Sequence, residues 1–187
     1  MNALDLIKRR RSIRRFTKRK VDDGILIEAI EAALWAPSAG DVQDKSFVIV
    51  RNEETKLKIV EAVFDQVWVA KAPVILVLVS DLDKLRLKFR ERAEFYATIS
   101  AGAAVQNILL YLTAKGLQGT HVGLFDELMV KRILDIPDDK KVFSVIALGY
   151  PAEKPPVPKR ALLKEVIFLE SYGNKWVKNK PHHTYME

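Results

Sequence analysis

Arg10, Ser12 and Arg14 alternate with Arg11 and Ile13 inside KRRRSIRRFTKRK, residues 8–20, a stretch holding nine basic residues and no acidic one. In an extended segment, side chains two positions apart share a face, so Arg10, Ser12 and Arg14 point one way while Arg11 and Ile13 point the other. Two guanidinium forks and a hydroxyl on one face match a phosphate monoester, whose oxygens accept paired, charge-assisted hydrogen bonds. The chemistry read here is capture of a compact dianion.

The charge balance narrows this further. The chain of 187 residues carries a net charge of +7, yet outside residues 8–20 it has 22 basic against 24 acidic residues, so the whole excess is local. A local excess fits an anion site or a basic arm, and not a broadly basic binding face. The competing reading is a disordered arm for RNA, DNA or an acidic membrane. Ile13 and Phe16 interrupt the run and favour an ordered segment.

With no cysteine there is no disulfide, no thiolate nucleophile and no Cys-based metal site, so redox work would need a cofactor. The three histidines are His121, His182 and His183, the last two side by side in a polar tail, and no metal site is read from them. No apolar run is read as approaching the roughly 18 uncharged residues of a spanning helix, so the expectation is a soluble, cytoplasmic protein.

Asn2 or Asp5 can open a short helix through Leu4 and Ile7, and Asp22 or Asp23 can cap a second over residues 24–35, stopped by Pro37. In that helix Leu26, Ile30, Ala33 and Leu34 form one buried stripe. A loop over 37–45 leads to a strand at 46–50 and a helix at 54–64. APVILVLVSD, residues 72–81, reads as a central strand buried on both faces. One long helix is expected over 85–115, capped by Gly116, with Ala97, Ala101, Gly102 and Ala104 permitting close approach of a neighbouring helix or a twin subunit. A helix at 126–136, a strand at 141–148 and a proline-rich run at 149–160 complete a sheet sandwiched by helices, α/β or α+β, in one domain. The C-terminal segment, from about residue 165, reads as an arm that reaches a partner.

Six separated segments together resemble the nitroreductase family: RRSIRRF at 10–16, APSAGDVQ at 36–43, APVILVLV at 72–79, AGAAVQNILLYLTAKGLQGTHVGLFD at 101–126, VIALGYPAEKPP at 145–156, and Lys159 with Arg160. Their order and spacing cover nearly the whole chain. The resemblance implies an α+β, three-layer α-β-α fold with a central mixed sheet. It also implies a homodimer with FMN at the subunit interface, and ping-pong reduction of a small-molecule acceptor by NADH or NADPH.

Carried over by position, the resemblance assigns Arg10, Ser12 and Arg14 to the FMN phosphate and ribityl chain, with Arg11 contributing through its backbone and Lys159 or Arg160 joining them. Pro37, Ser38 and Ala39 would lie along the flavin ring from the other subunit, and Gln43 would offer its amide to the ring's polar edge. Thr120, His121, Val122 and Gly123 would bring backbone groups near the hydride-accepting nitrogen, Gly123 permitting close approach. Lys71 or Gln66 would serve the pyrimidine edge of the ring. No catalytic side chain is expected, because the flavin carries the chemistry; His121 is read either as a side chain satisfied by backbone or as an acid. Members of the family often carry Asn, Pro and Trp where this chain has Asp41, Asp44 and Lys45, which bears on the acceptor pocket. Two other functions share these residues: a flavin-binding sensor or carrier without turnover, and a nucleic-acid-binding protein using residues 8–20.

Overall fold

The strand at the centre of the chain explains the architecture. In the computed structural model, which describes residues 2–176, β2 (Val74–Asp81) is buried along nearly its whole length because both of its faces are covered. Val74, Leu76 and Leu78 project into one apolar cluster, and Ile75, Val77 and Val79 into another, as a period of two requires. Four strands pair in the order β1-β2-β4-β3, with β1 at Lys45–Val50, β3 at Gln118–Val122 and β4 at Lys140–Gly149. All three ladders are antiparallel, so among the described residues the sheet is antiparallel rather than mixed.

Helices cover both faces and complete three layers. On one face α2 (Asp23–Leu34) and α5 (Ala93–Ala114) supply Leu26, Ala29, Ala104 and Ile108. On the other, α3 (Glu53–Ala62) and α6 (Glu127–Ile133) supply Ile59, Ala62 and Val130. The helix starts follow from side chains that accept orphan amide protons. Asn2 caps α1 (Ala3–Arg9) through the Asp5 N–H at 2.8 Å, and Asp22, rather than Asp23, caps α2 through the Gly24 N–H at 2.8 Å. Asn52 and Asp126 do the same for α3 and α6.

Two expectations are corrected. The long helix over 85–115 is two helices, α4 (Leu82–Phe89) and α5, separated at Arg90, whose φ of 48° and ψ of −124° cannot continue a helix. The stretch Leu82–Ala114 is also long and apolar enough, by length and composition, to cross a membrane, and residues 95–114 carry no charge. In the fold α5 is a core helix: Ala97, Ala101 and Ala104 are buried, and the Asn107 amide ties it to the Ala32 carbonyl of α2 at 2.9 Å.

The chain divides into two compact units, Met1–Pro155 and Pro156–Glu187. In the second, α7 (Leu163–Val166) is followed by a small hairpin in which Phe168 bridges Lys175 and the Trp176 N–H donates to the Ile167 carbonyl at 3.1 Å. His182 and His183 lie outside the described residues.

Candidate functional site

The basic segment is ordered, which overturns the reading of residues 8–20 as a disordered arm. Ile13 is 1% exposed, and its carbonyl accepts from the Thr120 hydroxyl on β3. The Arg11 N–H donates to the Gln118 side chain at 3.0 Å, so its backbone is already engaged, while the Arg11 guanidinium turns back to the Lys8 and Arg10 carbonyls at the end of α1. Phe16 bridges Pro151, the Thr17 N–H donates to the Tyr150 carbonyl, and the Ala152 N–H donates to the Arg15 carbonyl, both at 2.9 Å. Arg19 stacks on the Tyr150 ring with its guanidinium carbon 3.9 Å from the centroid. Gly149 makes this apposition possible, since a Cβ there would stand 2.6 Å from Pro73 Cδ and 3.2 Å from the Phe16 ring.

Zipping the segment to the sheet divides its three phosphate candidates. Arg10 Nη1 reaches Ser12 Oγ at 3.5 Å, so these two stand together on the exposed side. Arg14 instead enters the wall of a cleft of about 270 Å³, shared with Phe64, Gln66, Trp68 and residues 120–124. Its guanidinium lies 5.6 Å from the Trp68 ring centroid, within cation–π range. The cleft therefore joins Arg14 to His121, Val122 and Gly123, and of the two residues considered for the ring edge it includes Gln66 and not Lys71.

Partial burial lowers the His121 pKa, and the Phe143 carbonyl, which favours the protonated ring, offsets this only in part. The imidazole is thus neutral at neutral pH, which leaves Arg14 as the permanent cation among the described lining residues. A Cβ on Gly123 would meet nothing nearer than His121 Nε2 at 3.9 Å, so the backbone there is open to a ligand.

Thr120 lines the cleft with the rest of its segment, whereas Phe64, Trp68 and Leu124 line it without having been expected there. Phe64 and Asp65 follow α3 in the left-handed region, with φ of 55° and 58°, held by the Asp65 N–H to the Val60 carbonyl at 3.0 Å. That turn faces Phe64 outward, 56% exposed, onto the cleft. Only Asp65, a residue type tolerant of this conformation, signals it in the sequence.

Pro37, Ser38, Ala39 and Gln43 are not among the residues lining the cleft. Their loop rests on α4: Lys88 Nζ donates to the Gly40 carbonyl at 2.8 Å and Lys84 Nζ to the Gln43 carbonyl at 3.2 Å. The Gln43 amide donates to Asp41 at 3.0 Å, a contact internal to the loop. Asp44 is 2% exposed, accepts from the Ser80 hydroxyl and pairs with Lys45 at 3.0 Å. The departure from the family pattern at Asp44 and Lys45 is thus a buried polar clasp between the loop and β2. Lys159 and Arg160 belong to the second unit, both exposed, with Arg160 Nη1 donating to the Lys159 carbonyl at 3.1 Å.

Fold and cleft together define a three-layer α+β protein with a cleft walled by Arg14 and aromatic side chains at one edge of its sheet. The chain belongs to the nitroreductase family, whose sequence profile matches residues 7–73 and 66–150. Among similar proteins, an NADH dehydrogenase from Thermus thermophilus is 35% identical over 187 aligned positions, covering 85% of this chain and 91% of that one. A putative NADH dehydrogenase/NAD(P)H nitroreductase from Methanothermobacter thermautotrophicus is 35% identical, covering 83% and 80%. The solved structure of an NADPH:FMN oxidoreductase from Vibrio harveyi complexed with NAD+ superposes with a TM-score of 0.81 at 25% identity, covering 90% of this chain and 77% of that one.

Proposed function

We propose that this chain is an FMN-dependent oxidoreductase that takes reducing equivalents from NADH or NADPH and passes them, in a ping-pong cycle, to nitroaromatic, quinone or related acceptors. The observation that carries this reading is the cleft itself, in which a permanent cation, a neutral imidazole, an amide and two aromatic rings are gathered around the end of β3. That donor set suits a planar, electron-poor ring carrying a phosphate. Arg14 and residues 120–124 hold the ring, while Arg10 and Ser12 take the phosphate. When bound, FMN supplies the hydride chemistry, and the chain orients the two substrates against it.

The site of one chain is incomplete, which supports a homodimer. The cleft's volume of about 270 Å³ falls below the 300–1,000 Å³ usual for ligand sites, and the loop carrying Pro37, Ser38, Ala39 and Gln43 stands away from it. Trp35 is 81% exposed at the end of α2, Phe95 and Ile99 stand out from α5, and nothing lies within 4 Å of the Cβ position of Gly102 beside them. These residues form the face that a second copy covers, bringing its 37–43 loop to the cleft of the first. The segment after Pro155 exposes Val157, Leu163, Val166 and Tyr172, consistent with an arm exchanged between copies. The setting proposed for the enzyme is cytoplasmic.

Steady-state kinetics at several fixed acceptor concentrations test the reading. Parallel double-reciprocal lines with menadione or nitrofurazone are expected, and the flavin should bleach on NAD(P)H addition without acceptor. Converging lines contradict the ping-pong cycle, and absence of NAD(P)H oxidation by FMN-loaded protein contradicts the enzyme.

A further inference from the structure

We propose that Glu153 is the positioning residue that sets Arg14 into the cleft, an inference resting on the reading of that cleft as the flavin site. One carboxylate oxygen, Glu153 Oε1, accepts from two successive backbone amides, those of Arg14 and Arg15, the latter at 3.0 Å. The two segments run antiparallel here, with the Phe16–Pro151 bridge flanked by the Thr17–Tyr150 and Ala152–Arg15 hydrogen bonds. Beyond Ala152 the pairing passes from backbone to side chain, and the Glu153 carboxylate takes the place of the next backbone rung.

That substitution has a geometric consequence. Arg14 is the residue at which the segment leaves its pairing with residues 150–152 and its side chain crosses to Trp68. Fixing the amides of Arg14 and Arg15 together fixes the direction of the bond from the Arg14 backbone to its side chain. Glu153 does not itself line the cleft and its carboxylate is bound to the Arg14 and Arg15 amides, so its effect on a group in the cleft is expected to act through Arg14. The charge is favourable as well, because the carboxylate is bound to the backbone of a segment that carries nine basic residues.

The test is FMN titration, by quenching of flavin fluorescence, of the full chain and of Glu153→Ala, Glu153→Gln, Arg14→Ala and the Glu153→Ala/Arg14→Ala pair. Glu153→Ala should weaken FMN binding about tenfold, the scale of one charged hydrogen bond. Glu153→Gln keeps an acceptor oxygen and should recover most of the affinity. The double variant should bind no more weakly than Arg14→Ala alone, because Glu153 has nothing left to position. Should Glu153→Ala fail to fold, Glu153→Asp, whose shorter side chain cannot serve both amides, should show an intermediate loss. Losses that multiply in the double variant, or wild-type affinity in Glu153→Ala and Glu153→Asp while Arg14→Ala is weakened, overturn the positioning role alone. Wild-type affinity in Arg14→Ala overturns the cleft reading and this inference with it.

Discussion

Replacing Arg14 by alanine isolates the cation of the cleft. Its guanidinium makes two separable contributions. Toward the protein it lies 5.6 Å from the Trp68 ring, and at an exposed site that contact contributes about 0.5–1 kcal/mol to folding. Toward an anionic ligand it offers at least one charge-assisted hydrogen bond, about 1.5–3 kcal/mol. Arg14→Ala should therefore weaken FMN binding roughly 10- to 150-fold, at 1.4 kcal/mol per tenfold, with a much smaller loss of stability. Arg14→Lys keeps the charge and loses the planar fork, so it should fall between the two. Arg19→Ala is the control: its guanidinium stacks on Tyr150 at 3.9 Å and does not line the cleft, so affinity should stay at the wild-type value. Flavin fluorescence titration at fixed ionic strength measures all three. Equal affinities for Arg14→Ala and Arg19→Ala would refute the assignment, because the contribution would then be that of net charge and not of position.

Other outcomes follow from packing and charge. Asp44→Ala leaves Lys45, whose side chain is 6% exposed, without its partner, and should cost about 3–5 kcal/mol in urea unfolding. Gly149→Ala places a Cβ 2.6 Å from Pro73 and should destabilise by about 1–3 kcal/mol, read as a lower thermal midpoint. The folded state lowers the His121 pKa, so it binds fewer protons there than the unfolded chain. The stability tied to the neutral ring is fully present above about pH 6.5 and is lost as pH falls toward the folded value. His121→Asn should flatten that part of the stability profile, and an unchanged slope between pH 7 and 5 would contradict it.

Much of the frame could be read from residue patterns. β2 announced itself because an uninterrupted apolar run of strand length has few other uses, and Asp22 and Asn2 mark their helix starts by a local hydrogen bond that needs no tertiary context. β3 could not be read in this way. Gln118, Gly119, Thr120 and His121 lack apolar alternation, and the strand exists because β4 pairs with one side while the Ile13 segment lies along the other. Packing is tight at Gly119, where a Cβ would stand 3.0 Å from a Leu109 methyl. The break at Arg90 also carries no Gly or Pro to announce it.

The site was legible in its charges and less so in its walls. Alternation placed Ile13 inward and Arg10 beside Ser12, as found, but it put Arg14 with them, whereas pairing with residues 150–153 carries Arg14 on to Trp68. Phe64 and Trp68 reach the cleft through a left-handed turn whose stability comes from α3 carbonyls, a tertiary circumstance that no spacing rule contains.

A bound flavin is what the proposed activity requires, and the visible spectrum of the purified protein tests for it most directly. Flavin bands near the wavelengths of free FMN, with one FMN released per chain on denaturation, are the expected result. A colourless protein that cannot be loaded with FMN would contradict the account.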